Sequence, residues 1–140
     1  MTDLVEPEFR RWRDHAGETA SFARHSIGAS PAWACFLAEQ AAQFAVKGLL
    51  HGSGAGAWGQ DLPQLTGQAA ELHPQLGPVG QAVLRLSRFY VATRYPDASS
   101  GGVPALRYTE SDARAALADA DDLLAAVDAA WASMMMPEDR

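Results

Sequence analysis

Helical periodicity constrains this chain more than any other feature of its sequence. Apolar residues recur every three or four positions over long stretches, and no stretch has the two-residue alternation of a half-buried strand. Such stretches cover about 5–27, 30–52, 78–93 and 109–134, and a shorter one follows Asp61. The pattern therefore predicts an all-α fold, an up-and-down bundle of four long helices plus one short helix.

Cap signals mark the predicted helix starts. Ser30 precedes Pro31, Asp61 precedes the short helix, and Thr109 stands three residues before Asp112. Alanines on the inner faces would let the helices approach closely. On the second helix we expect the inner face to carry Trp33, Phe36, Leu37, Gln40, Ala41, Phe44 and Gly48.

The length of 140 residues suits a single domain over 1–140, with a core over about 5–134 and a frayed tail over 135–140. No apolar run approaches the roughly 18–20 residues that span a bilayer, so we expect no membrane segment. The stretch 1–13 mixes acids with arginines, and we expect no signal peptide. Cys35 is the only cysteine, which excludes an internal disulfide and fits a cytoplasmic protein.

Charge is unevenly distributed along the chain. The formal net charge is −6, which argues against a general electrostatic binder of DNA or RNA. Residues 85–107 nevertheless hold four arginines and one acid, whereas residues 109–128 hold six acids and one base. An arginine-bearing segment before an acidic helix predicts a local basic site rather than a basic protein.

Three ordered fragments, spread over about 8–130, resemble the HEPN (higher eukaryotes and prokaryotes nucleotide-binding) domain family. The first is the alanine-rich stretch 38–50, with Gln40 and, seven residues on, Lys47. The second is Gly-Gln-Asp-Leu at 59–62, where the family usually has His in place of Gln60. The third is Arg-Tyr-Pro-Asp at 94–97, with Tyr108 before the last helix.

The resemblance implies a helical domain that commonly forms homodimers. Many such domains are encoded beside small nucleotidyltransferases and act as toxin–antitoxin partners. Some are metal-independent ribonucleases that use an Arg and, after four to six residues, a His near the last helix; others are inactive and bind nucleotides or partners. Gln60 can replace the hydrogen bonds of the family's His but not its proton transfer near neutral pH.

The ribonuclease motif is missing from the region where the family keeps it. No histidine follows Arg94, since the last one in the chain is His73. Arg10 and His15 match the spacing, but they lie on the first helix, and short motifs give chance matches. We therefore predict no catalytic residue and interpret this pair as a solvated helix face. A metal-independent endoribonuclease with a non-standard site stays as an alternative.

The predicted ligand site centres on Arg94, which would project from a helix end and bind a nucleotide or RNA phosphate. An ion pair with Asp61 or with an acid of the last helix is the competing interpretation. Lys47 would reach the same phosphate or extend along the edge of the core, and Gln40 would line the pocket or hold two helices in register. The remaining candidates are Gln60, Asp61, Tyr95 and Asp97.

Two further patterns have limited meaning. Gly54, Gly56 and Gly59 match a dinucleotide fingerprint only formally, because no strand precedes them. The four histidines lack metal-ligand spacing, and we expect neither metal nor cofactor.

A third interpretation of the function makes the chain a purely structural interaction module. Its acidic last helix would then bind a basic partner through Asp119, Asp121 and Asp122.

Overall fold

The computed structural model describes residues 3–98 and 101–136, and within them it has helices and no strand. The all-α prediction is confirmed. Three long helices and three shorter ones follow one another along the chain: α1 (Glu6–Ser26), α2 (Pro31–Gly52), α3 (Leu62–Leu72), α4 (Gly80–Ser87), α5 (Phe89–Ala92) and α6 (Glu110–Met135). The α2 helix lies at the centre and packs against the other five or their connecting turns.

The predicted caps are confirmed at three helix starts. The Ser30 side chain accepts a hydrogen bond from the Trp33 amide, and Asp61 Oδ1 accepts one from the Gln64 amide. Thr109 and Asp112 form a reciprocal capping box, each side chain accepting from the other residue's amide at 3.0 and 2.9 Å. These bonds satisfy backbone donors that the first helical turn leaves without a partner.

Small residues set the distance between the three long helices. A Cβ atom added at Gly48 would lie 2.8 Å from Cβ of Trp12. One added at Gly52 would lie 2.7 Å from both Phe9 and Trp131. The last two residues stack on each other, with ring centroids 4.3 Å apart and an interplanar angle of 4°. Glycine at these two positions is therefore required by contact with a neighbouring helix.

The predicted inner face of α2 is wrong for Trp33, whereas Leu37 and Phe44 pack against the edge of the core. Trp33 is 51% exposed, and Phe36, Leu37, Gln40 and Phe44 are only partly buried. The fully buried side of α2 consists mainly of alanines, because small side chains allow α1 and α6 to approach closely. Its alanines are Ala34, Ala38, Ala41, Ala42 and Ala45.

The predicted long helix over 78–93 is present in three segments. Residues Pro74–Val79 form a 3-10 helix, α4 follows, and the chain departs from regular α geometry at Arg88 before α5. Pro78 lacks an amide hydrogen and so cannot extend an α-helix in the N-terminal direction.

The connections are short turns or irregular segments. In the glycine-rich connection 53–61, Gly54, Gly56 and Gly59 have φ values of 80°, 76° and 86°, the left-handed region that favours glycine. Ala57 is buried and fixes this connection to the core. The predicted loop 95–108 contains short 3-10 turns at Pro96–Ala98 and Pro104–Leu106; its residues 99–100, and 137–140 of the predicted tail, lie outside the described residues.

Among the residues that the structure describes, no helix combines the length and apolar character needed to cross a bilayer.

Candidate functional site

A row of polar side chains crosses the otherwise apolar α2 helix. Glu39, Gln43 and Lys47 follow one another at four-residue steps, which places them on one helix face. Glu39 and Gln43 are completely buried, and Lys47 is 8% exposed. Charged residues are seldom this deeply buried without a partner, so the row requires a specific electrostatic explanation.

Glu39 is the acceptor at the centre of this row. Its two carboxylate oxygens accept hydrogen bonds from the Gln40 and Gln43 side-chain amides at 2.8 and 2.6 Å. Burial raises the pKa of Glu39, while these bonds and the nearby charges of Arg94 and Lys47 oppose the rise. Burial lowers the pKa of Lys47, and the Glu39 charge opposes that shift. Both cations thus influence one buried carboxyl group through space, and among the described residues neither forms an ion pair with it within 4.0 Å.

Arg94 lies in a cage of aromatic rings beside this carboxyl group. Its guanidinium carbon is 4.2 Å from the ring centroid of Phe36, 4.9 Å from that of Tyr90 and 5.0 Å from that of Tyr95. Its Nε and Nη2 atoms donate to the Tyr90 carbonyl. Stacking and hydrogen bonding hold the guanidinium in one orientation, which is the condition for selective anion recognition.

The structure brings four of the seven predicted site residues into this cluster. Gln40 and Lys47 act on Glu39, Arg94 lies nearby, and the Tyr95 ring covers Arg94. Gln60 contributes its backbone carbonyl, which accepts from Gln43 Nε2 at 3.0 Å; its own side chain is not used there.

The other two predicted site residues do not join the cluster through any contact in the described parts of the chain. Asp61 is exposed and caps α3. Asp97 is exposed in the 3-10 turn after Arg94.

The predicted ion pair of Arg94 with Asp61 or with an acid of α6 is absent from the described residues, where Arg94 donates to the Tyr90 carbonyl instead. The carboxyl group whose pKa Arg94 influences is Glu39 of α2. The acidic helix α6 pairs instead with Arg85, whose Nε and Nη2 atoms each donate to Asp119 at 2.9 Å. Asp119 is 8% exposed and Asp121 pairs with Arg24 at 2.8 Å, so two of the three acids proposed for partner binding are already paired.

A second feature adjoins α5. Arg88, Phe89, Ala92, Arg107, Tyr108 and Asp112 line an open cavity of about 270 Å³. Arg107 donates twice to the Gly101 carbonyl, at 3.1 and 2.8 Å, and Arg88 Nε donates to the Arg85 carbonyl. Burial raises the pKa of Tyr108, so its hydroxyl stays protonated near neutral pH.

Three of the four arginines in the basic segment thus remain without a carboxylate partner in the described parts of the chain. Only Arg85 forms an ion pair within 4.0 Å; Arg88, Arg94 and Arg107 donate to backbone carbonyls instead. A guanidinium bonded to a neutral carbonyl keeps its full charge for another anion. Arg88 and Arg107 line the cavity beside α5, whereas Arg94 follows α5 outside that lining; the three arginines together are called the arginine surface below.

The structure does not unite Arg10 and His15 as a catalytic pair. Positions five apart on a helix are rotated by about 140° from each other. Arg10 lies near Glu6 at 3.4 Å, whereas the His15 ring packs on Phe44 at 4.4 Å between centroids. Across residues 3–98 and 101–136, no three side chains of the metal-binding types cluster around a common point.

Sequence reasoning missed Glu39, Gln43, Arg88 and Arg107. The four-residue spacing of Glu39, Gln43 and Lys47 is visible in the sequence and marks a polar face on an alanine-rich helix. No comparable signal exists for Arg88 and Arg107. They are distant in the sequence and line one cavity only because α4 ends before Arg88 and an irregular segment carries Arg107 back towards α5.

Comparisons with known proteins agree with this architecture. The model of the HEPN domain family matches residues 9–130. The crystal structure of TT1696 from Thermus thermophilus is 37% identical, with a TM-score of 0.82, and the match covers 86% of this chain and 96% of that one. The crystal structure of ST0689, an archaeal HEPN homologue, is 31% identical, with a TM-score of 0.72 and coverages of 86% and 95%. Among curated proteins none matches.

Proposed function

Because this chain belongs to the HEPN domain family, we propose that it is a non-catalytic member that binds the phosphates of a nucleotide or an RNA on the arginine surface. The observation that carries the proposal is that Arg88 and Arg107 meet at one cavity and that they and Arg94 donate to backbone carbonyls without a carboxylate partner in the described residues. The net charge of −6 does not oppose this, because a local group of cations sets the potential at a site.

The cavity chemistry supports an anionic ligand. Arg88 and Arg107 present guanidinium groups, and the protonated Tyr108 hydroxyl is a further donor. Guanidinium groups match phosphate oxygens in geometry and bind them through charge-assisted hydrogen bonds. The Asp112 carboxylate already accepts from the Thr109 amide, which reduces its competition for the arginines.

The absence of histidine from this cavity's lining supports binding rather than cleavage. Hydrolysis of RNA through its 2′-hydroxyl needs an acid–base group that titrates near neutral pH. Among the described residues, this lining includes Asp112 and Tyr108 but no His. An RNA-cleavage assay that detected activity abolished by Arg94→Ala would instead support the ribonuclease alternative.

Calorimetric titration with ATP, with GMP and with a short single-stranded RNA tests the proposal. The wild-type protein should bind at least one of them. The double substitution Arg88→Ala/Arg107→Ala, and separately Arg94→Ala, should weaken binding about tenfold or more, since a hydrogen bond to a charged group contributes about 1.5–3 kcal/mol. Added salt should also weaken wild-type binding.

Arg24→Ala is the matched control, because Arg24 is an exposed arginine already paired with Asp121 on another face. Its affinity should equal that of the wild type. Absence of binding by the wild-type protein, or an equal loss in the control, would contradict phosphate binding at the arginine surface.

We also propose that the chain forms a homodimer through its aromatic stripe, defined by Trp12, Trp33, Phe36 and Phe44. Trp33 packs edge-on against Phe36 at 5.8 Å, and Trp12 lies 6.2 Å from Phe44. These large rings remain partly or mainly exposed on α1 and α2. Aromatic residues are enriched at protein interfaces, and burial of such rings stabilises association.

Sedimentation equilibrium measures this association. The wild-type protein should have about twice the chain mass of 14.9 kDa, and Trp33→Glu should shift it towards the monomer because it would bury a charge. Leu84→Glu is the control, since Leu84 of α4 is 53% exposed and lies outside the stripe. A monomeric wild type, or a Trp33→Glu protein that remains dimeric, would exclude this interface.

Besides a second copy of this chain, we propose a small nucleotidyltransferase as its protein partner, in a toxin–antitoxin-like setting. Family membership is its only support. A gene for such an enzyme next to the gene for this chain would strengthen it, and co-purification of the two products would test it directly.

A further inference from the structure

A second cavity lies at the other end of α6 from the arginine surface. It has a volume of about 440 Å³ and opens among the last turns of α6, the end of α3 and the residue after α2. Ser133 of this cavity and Asp112 of the arginine-lined cavity are 21 residues apart on one helix, which corresponds to roughly 30 Å. The two cavities are therefore separate.

His73 is the polar centre of this second cavity. It is 5% exposed, and burial lowers its pKa, so the imidazole is neutral near pH 7. Its Nε2 atom lies 3.1 Å from Ser53 Oγ. The Ser53 hydroxyl donates to the Leu49 carbonyl at 2.6 Å. Since a hydroxyl has one hydrogen, this arrangement makes His73 Nε2 the donor to Ser53.

The tautomer assigned in this way leaves Nδ1 of His73 as an acceptor. No group in residues 3–98 and 101–136 donates to it. Nor is Nδ1 one of the fully enclosed atoms without a partner, which are Trp12 Nε1, Gln43 Oε1, Thr66 Oγ1 and Trp131 Nε1. His73 also lines the cavity, so its Nδ1 atom is not fully enclosed there.

The remaining lining defines the ligand class. Leu72 and Met134 provide apolar surface and Gln75 and Ser133 provide neutral polar groups, and within residues 3–98 and 101–136 no Lys, Arg, Asp or Glu lines the cavity. Such a lining disfavours phosphates and other ions, which need charged or multiple polar partners. Its volume lies within the range of small-molecule sites, and methionine adapts to different shapes.

We propose that this cavity is a second ligand site that takes an uncharged, largely apolar small molecule whose hydroxyl or N–H group donates a hydrogen bond to His73 Nδ1. The site is independent of phosphate binding at the arginine surface. It neither needs an anionic ligand nor uses any of the three arginines.

Indole and 1-methylindole are suitable probes, because they share an apolar ring system and only indole has an N–H donor. Titration of the full chain with each, followed by NMR of backbone amides and of the imidazole nitrogens, measures binding. Indole should shift the His73 Nδ1 resonance and the amides of Leu72 and Ser133. It should bind about fivefold more tightly than 1-methylindole, the effect of a single hydrogen bond.

Three variants test the cavity, and two of them leave His73 unchanged. His73→Phe should reduce indole affinity to that of 1-methylindole. Ser133→Phe, at an exposed position on the cavity rim, should block both probes, whereas Ser111→Phe at the distant end of α6 should leave both affinities unchanged. Equal affinity of the two probes for the wild type, absent shifts in the lining residues, or unchanged binding in Ser133→Phe would each overturn the proposal.

Discussion

Replacing Trp131 by Ala is expected to lower the free energy of unfolding by about 3–5 kcal/mol, the range for a buried aromatic residue. Trp131 is 4% exposed and stacks on Phe9, which is 1% exposed. The α2 backbone at Gly52 fits directly against its ring. Truncation would leave a cavity where α1, α2 and α6 meet, and a glycine cannot fill it. Urea denaturation followed by circular dichroism measures the change.

Trp58→Ala is the matched control for this prediction. Trp58 is the same residue type, but it is 85% exposed on the connection between α2 and α3. Its replacement should change the unfolding free energy by no more than about 0.5 kcal/mol. A loss below about 1 kcal/mol for Trp131→Ala would mean that the Phe9–Trp131 stack does not hold the three long helices together.

Replacing Glu39 by Ala is expected to lower the free energy of unfolding by about 1–3 kcal/mol, because it removes the acceptor of two side-chain amides and the buried charge nearest Lys47. Lys47 would stay buried without its counter-charge, and the Gln40 and Gln43 amides would lose their acceptor. The same denaturation experiment measures this effect. A loss below about 1 kcal/mol would indicate that Glu39 makes no net contribution to folding.

A double-substitution cycle with Lys47→Met isolates the electrostatic part. In the Lys47→Met background, Glu39→Ala should cost less than in the wild type, because no buried cation is left unpaired. The pH dependence provides a second measurement. In Glu39→Ala the folded-state pKa of Lys47 lies below its ordinary value of 10.5, so the unfolded chain binds more protons. Stability of that variant should therefore increase as the pH rises from neutral towards about 10.5. Equal costs in both backgrounds would exclude coupling between Glu39 and Lys47.

Local signals predicted the helical frame well. Side-chain caps such as Ser30, Asp61 and Thr109 act within one helical turn, so their geometry follows from neighbouring residues alone. The family resemblance likewise depended on fragments that are contiguous in the sequence. In the structure Gln40 bonds Glu39, and Lys47 and Arg94 both influence its pKa.

Faces of the central helix could not be predicted in the same way. Its hydrophobicity favoured Trp33 and Phe36 as inner residues, whereas close approach of α1 and α6 selected the alanines. Periodicity distinguishes a buried face only when the opposite face is polar, and α2 has partners on most sides. Side-chain size then decides which apolar residues of α2 face away from α1 and α6, because large rings do not fit between closely packed helices.

The sequence by itself determined the all-α class, the helix starts and the arginine-bearing segment before an acidic helix, because each depends on interactions within a few residues. Only the tertiary structure decided which arginine is neutralised: Asp119 pairs with Arg85, while Arg88 and Arg107 meet at a cavity across residues distant in the chain. It also decided that Glu39 is the carboxyl group beside Arg94. Electrostatic pairing depends on the distance between charged groups and on their burial. Helical periodicity does not specify these two quantities for residues on different helices.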